Sequence, residues 1–239
     1  MNGFTFERRE IKYRITSAQR AALEAAFVSR MVPDEHGESV ICNIYYDTPD
    51  YRLIRASLEK PAYKEKLRLR SYGVAEPGGA AFLELKKKYK GIVYKRRITL
   101  PEDAAGEFIA GRAPLGEHGQ IGQEIEYFTA FYAPLRAAVH LSYERSAWFS
   151  HEYPNLRVTF DRRIRFRRSE LSLTAPTDGR SILPDGESLM EIKAAASLPL
   201  WLTAELDTLG IYPSSFSKYG EAYKTILADA RENFGGKTA

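Results

Sequence analysis

The segment Lys64-Glu65-Lys66-Leu67-Arg68-Leu69-Arg70-Ser71-Tyr72 alternates long cations with leucines. In an extended strand, successive side chains point to opposite faces. Lys64, Lys66, Arg68, Arg70 and Tyr72 therefore share one face, and Leu67 and Leu69 the other. A half-buried strand is normally apolar on one face and mixed polar on the other. Here the polar face is a row of cations. The pattern recurs along the chain. Glu84, Lys86 and Lys88 oppose Leu83 and Leu85, and Lys95 and Arg97 oppose Tyr94, Arg96 and Ile98. Near the start, Arg8, Glu10, Lys12 and Arg14 oppose Ile11, Tyr13 and Ile15. Later, Arg145 stands with Tyr143, Arg157 with Thr159 and Asp161, and Glu191 with Lys193 opposite Met190 and Ile192.

A solvated sheet face is the simplest account of any one such strand. It does not account for the recurrence. Two like charges ~4 Å apart repel by about 4 kcal/mol at an effective dielectric near 20. A curled sheet that gathers these cations is stable only if it is wide, hydrated or occupied by an anion. A polyanion with many oxygens suits it, because arginine forks match phosphate and lysines add point charge. A closed barrel of about eight strands holds one elongated ligand and has no open edges.

Strands are predicted over 4–15, 40–46, 63–72, 81–89, 92–100, 139–150, 156–166 and 188–193. Helices are predicted over 17–27, with Thr16 or Ser17 as N-cap, and over 102–110, 122–137, 198–209 and 218–230. This is an α+β pattern: a closed or nearly closed antiparallel β-barrel forming a basic tunnel, with helices packed outside. Gly/Pro clusters at 76–79, 111–122 and 175–186 read as loops and none as a long linker, so one domain is expected over 1–239.

Of 239 residues, 35 are Lys or Arg and 31 Asp or Glu, a net charge of +4, so distribution matters more than the sum. The single cysteine, Cys42, excludes an intramolecular disulfide and reads as a buried hydrophobe. No apolar run is long enough to span a membrane, and the first ten residues carry no apolar signal core, so a cytoplasmic location is expected. The histidines His36, His118, His140 and His151 are scattered, without ligand spacing, and most read as loop or strand-end residues. Trp148 and Trp201 read as core. The run Arg162, Arg163, Arg165, Arg167, Arg168 reads as a solvated strand end or as an entrance that attracts polyanions. Tyr45-Tyr46-Asp47-Thr48 reads as a strand entering a turn, with no catalytic role. Glu10, Glu84 and Glu191 stand among the cations. They serve either as ion-pair partners or as ligands to a hard divalent cation that also takes phosphate oxygens.

At Glu10-Ile11-Lys12, Lys66–Tyr72, Phe82-Leu83-Glu84-Leu85-Lys86 and Val93-Tyr94-Lys95-Arg96-Arg97, the chain resembles the VTC domain. That is the polyphosphate polymerase domain of the vacuolar transporter chaperone complex, in the triphosphate tunnel metalloenzyme superfamily with the CYTH phosphatases. The resemblance continues through Tyr143-Glu144-Arg145, Leu156-Arg157-Val158-Thr159-Phe160-Asp161, Leu189-Met190-Glu191-Ile192-Lys193 and Phe216-Ser217-Lys218-Tyr219. It implies a tunnel lined by Lys12, Arg68, Arg70, Lys86, Lys95, Arg145, Arg157 and Lys218, with Arg68, Arg70, Lys86, Arg145 and Arg157 on the phosphates. It places a Mn²⁺ or Mg²⁺ ligand at Glu191, and Glu10, a carboxylate among the cations of the first strand, is expected as a second. Two positions depart from the pattern. A further lysine of the eukaryotic polymerases is Ser215 here, and Arg8 takes the first acidic place of the superfamily's Glu-x-Glu-x-Lys pattern.

The implied reaction is transfer of the γ-phosphoryl of ATP, or of another nucleoside triphosphate, onto polyphosphate. Positioning and electrostatics suffice for it, without a covalent intermediate. The same tunnel with water as acceptor is a triphosphatase, and without chemistry it is a polyphosphate-binding module. Nucleic acid is disfavoured, because the basic residues alternate with apolar ones on strands and form no exposed aromatic-basic platform. A membrane partner stays open.

Overall fold

The computed structural model describes residues 9–35, 37–90, 92–195 and 197–235. The start of the predicted 4–15 strand, with Arg8, and His36 lie outside the described residues. The elements are β1 (Arg9–Thr16), α1 (Ser17–Phe27), β2 (Met31–Pro33), β3 (Ser39–Asp47), α2 (Arg52–Leu58), β4 (Tyr63–Tyr72), β5 (Ala80–Tyr89), β6 (Ile92–Pro101), α3 (Glu102–Ile109), α4 (Gly119–Phe131), β7 (Arg136–Ser150), β8 (Arg157–Arg167), β9 (Arg180–Ser181), β10 (Glu187–Ala194), α5 (Leu200–Thr208) and α6 (Lys218–Gly235). The class is α+β, with one large sheet in the order β1-β10-β8-β7-β3-β4-β5-β6, and the short β2 and β9 beside β7 and β8. Every ladder whose register is defined is antiparallel. The order has two ends, β1 and β6, with no pairing between them among the described residues. The closed barrel expected from the sequence is therefore not confirmed. None of the helices among the described residues is long and apolar enough to cross a membrane.

The chain divides into two compact units. The first holds residues up to 40, 143–164 and 183–216. Its ladder sets Lys12 opposite Glu191 and Glu191 opposite Thr159. The odd positions of β1 turn the other way, and Tyr13 and Ile15 join Val158, Phe160, Met190 and Ile192 in a core closed by Leu23 and Phe27 of α1 and Leu202 and Leu206 of α5. Each such side chain contributes roughly 1.5–3 kcal/mol by leaving water. Trp148 and Trp201 pack edge-on to Phe27, as their apolar neighbours predict. The capping box at Thr16 fixes where α1 starts: its Oγ1 accepts from Gln19 N at 3.2 Å, and Gln19 Oε1 accepts from Thr16 N at 2.9 Å.

The second unit holds residues 41–142, 165–182 and those from 217 on. Its ladder runs β3-β4-β5-β6 in continuous register. Leu67, Leu69, Leu83, Leu85 and Ile98 are buried on one face, and Cys42 is buried too. Arg96, on this apolar parity, is satisfied by both oxygens of Glu124 of α4, and Lys87 donates to Glu124 Oε2 at 3.2 Å. That pairing explains why the alternation in 92–100 is imperfect.

Three expectations change. α4 covers 119–131, earlier than predicted, since Pro134 cannot continue a helix and Arg136-Ala-Ala enters β7 in spite of its helix propensity. α2 is additional: seven residues are too few to show a helical period, and its N-terminus is satisfied by Asp47, upstream of the helix. His140 is no strand-end residue. It is fully buried inside β7, and neither ring nitrogen has a hydrogen-bond partner among the described residues.

Candidate functional site

In the second unit, cross-strand register assembles the charged face row by row. Tyr45, Arg68, Glu84 and Arg97 stand side by side on β3, β4, β5 and β6. Lys66, Lys86 and Lys95 form the neighbouring row, and Arg70, flanked by Asn43 and Phe82, belongs to the next. Glu84 is the hub, with 1 % of its side chain exposed. Its Oε2 accepts from Arg68 Nε at 2.8 Å, and its Oε1 accepts from Arg97 Nε at 2.7 Å and lies 2.6 Å from Lys95 Nζ. Arg70 Nε is 3.9 Å from the same carboxylate and donates to Asn43 Oδ1 at 3.0 Å. Burial pushes the Glu84 carboxyl up, but Arg68, Arg70 and Lys95 overcome it and hold it well below the usual carboxylate range. Burial also raises the Tyr45 phenol, yet Arg68 and Lys66 outweigh that and bring it down to about 8. The Tyr45 hydroxyl accepts from Arg68 at 3.3 Å.

α6 is fastened to the same unit. Ser217 Oγ caps it by accepting from Gly220 N, and also accepts from Lys66 Nζ at 3.0 Å. Lys218 opens the helix and is nearly buried. Tyr219 stacks on Tyr45 at 4.7 Å and donates to Asp47 Oδ2 at 2.9 Å. Asp47 accepts as well from the backbone of Thr48, Leu53 and Ile54, which joins the start of α2 to α6.

The first unit carries its own cluster. Lys12 Nζ lies 3.3 Å from Glu191 and 3.5 Å from Glu10. Arg145 grips the fully buried Asp161 with Nε at 2.6 Å and Nη2 at 2.7 Å, and its Nη2 is 3.8 Å from Glu191. Burial works against the Arg145 charge, but Tyr143, Asp161 and Glu191 outweigh it and hold the guanidinium protonated. Arg157 stands apart, with its guanidinium 3.8 Å from Asp34 and over the Phe149 ring.

The VTC domain model matches residues 7–227. The chain belongs to the VTC domain family. No curated protein matches it by sequence. Solved structures that share the fold include two with enzyme descriptions. A "putative adenylate cyclase" from Bacillus halodurans is 14% identical over 88% of this chain and 95% of its own, with a TM-score of 0.54. A "putative adenylyl cyclase" from Hippeastrum, described as having a dominant triphosphatase activity, is 17% identical over 88% and 92%, also with a TM-score of 0.54.

In this VTC domain, Arg68, Arg70 and Lys95 come together on Glu84 with Lys86 in register beside them, and Lys12 and Arg145 come together on Glu191. Sequence reasoning left out Arg97, Tyr45 and Asp161. Arg97 and Asp161 lie on faces that parity marks as charged, but only register shows which carboxylate or cation each one meets. The run after Asp161 is not a solvated strand end throughout. Arg162 and Arg163 pair with Glu144, and Arg167 is buried, bonded to Asp178 and to the carbonyls of Ser169, Glu170 and Pro176.

Among the described residues no three His, Cys, Asp or Glu side chains form a metal-holding group. Glu10 and Glu191, both within 3.5 Å of one ammonium, offer two carboxylates. That donor set fits a hard divalent ion that fills its remaining positions with phosphate oxygens and water.

Proposed function

We propose that this VTC domain works as one domain over 1–239, binds a phosphate chain on its basic sheet face in a tunnel of the kind its family resemblance implies, and transfers the γ-phosphoryl of ATP or another nucleoside triphosphate to polyphosphate. The observation that carries this is the hub at Glu84. One buried carboxylate faces Arg68, Lys95 and Arg97 at hydrogen-bond distance, an arrangement that favours an oxygen-rich polyanion. The family resemblance assigns phosphate oxygens to Arg68, Arg70 and Lys86 in the second unit and to Arg145 and Arg157 in the first. Lys12 and Lys95 add charge, and Lys218, at the mouth of α6, contacts bound phosphates. Within the second unit, register and ion pairs to Glu84 hold Arg68, Lys95 and Arg97 in place, so little reorganisation is needed there as charge shifts in the transition state. Glu191 and Glu10 hold Mg²⁺ or Mn²⁺, which when bound neutralises charge on the phosphates.

Hydrolysis is the second reading, favoured by the triphosphatase activity described for the Hippeastrum fold neighbour. A binding test comes before either. Tripolyphosphate titrated into the protein is expected to bind with a strong salt dependence, and Arg68→Ala and Arg145→Ala are each expected to weaken it. Absence of binding, or full affinity in both variants, contradicts the assignment.

A further inference from the structure

The charged face of β4–β6 changes character toward one end. After the lysine row and the Arg68–Glu84–Arg97 row comes Arg70 beside Phe82, and then Tyr72 on the same parity of β4. Tyr72 is 57 % exposed, and its ring meets that of Phe82 edge-on at 5.7 Å. Arg97 lies 4.6 Å over the Phe82 ring, and burial of the Tyr72 phenol is outweighed by the positive charge beside it, which holds its pKa below the ordinary value. A single exposed aromatic residue is ordinary. This one continues a cation stripe, next to a guanidinium already stacked on its neighbour. An open π-face beside an arginine is a surface on which nucleobases stack.

We infer that Tyr72 and Phe82 form a stacking platform for the base of a nucleoside triphosphate. The inference rests on the proposed phosphate-binding role and adds an orientation to it. Successive rows along a strand are about 6.8 Å apart, a step that a ribose bridges. The base rests at Tyr72, the nearer phosphates meet Arg70, Arg68 and Arg97, and the γ-phosphate points toward Lys66, Lys86 and Lys95.

Calorimetric titration of ATP and of inorganic tripolyphosphate into wild type, Tyr72→Ala and Tyr72→Phe separates the possibilities. Tyr72→Ala is expected to weaken ATP about tenfold and to leave tripolyphosphate unchanged, while Tyr72→Phe keeps wild-type affinity for both. ATP binding undiminished in Tyr72→Ala overturns the inference and leaves the phosphate site standing. An equal loss of both ligands overturns it too, because Tyr72 then acts only by positioning Arg97. If wild type binds neither ligand, the proposed function fails and the platform falls with it.

Discussion

Arg68 places both Nε, at 2.8 Å, and Nη2, at 2.7 Å, on a single oxygen of Glu84. The cation row is thus organised around a carboxylate that water barely reaches. Glu84→Gln keeps the shape and removes the charge, leaving Arg68, Lys95 and Arg97 to repel one another. A loss of about 3 kcal/mol is expected, as for one partner removed from a buried pair. Thermal unfolding checks it, and tripolyphosphate is expected to recover part of the lost stability by replacing the missing negative charge.

His140 sets a pH window. Burial first, and Arg167 second, push its pKa down to about 4, whereas the unfolded value is about 6.5. Between those values the unfolded chain binds a proton that the folded chain refuses. Stability therefore falls as pH drops, by about 1.4 kcal/mol per unit at the steepest. The depressed Glu84 carboxyl adds its loss at lower pH, below the unfolded glutamate value near 4.3. Urea melts across pH 4 to 7 are expected to show a flatter slope in His140→Phe than in wild type; equal slopes refute the assignment.

Arg145→Lys is not a conservative change. A lysine has no planar fork, so one of the two bonds to the buried Asp161 is lost. The expected cost is about 1–3 kcal/mol of stability, together with weaker tripolyphosphate binding. Calorimetry reads the first and titration the second.

Tyr219→Phe keeps the stack on Tyr45 and deletes the hydrogen bond to Asp47. Asp47 retains its three backbone donors. A loss of about 1–2 kcal/mol is expected, with faster amide exchange at the start of α6.

Much of this was legible from alternation alone. The bounds of β4 are those predicted, and the charged parity of β4 and β5 matches the observed rows, because a period of two fixes which residues share a face. Parity does not say which strands are neighbours. The meeting of Arg97 with Glu84, or of Arg145 with Asp161, was therefore out of reach. Tyr45 and Asp47 were missed for a related reason. Their partners, Tyr219 and Arg68, are distant in sequence, and the short α2 held by Asp47 leaves no periodic trace.

Phosphoryl transfer onto a bound phosphate chain is distinguished from hydrolysis by the products it leaves. The protein is incubated with γ-labelled ATP and Mn²⁺, and products are resolved on a gel beside Glu191→Ala. A ladder of labelled polyphosphate, lost in Glu191→Ala, is the predicted result. Release of free phosphate or triphosphate alone moves the assignment to hydrolysis, and intact ATP in the presence of tight polyphosphate binding contradicts the catalytic claim.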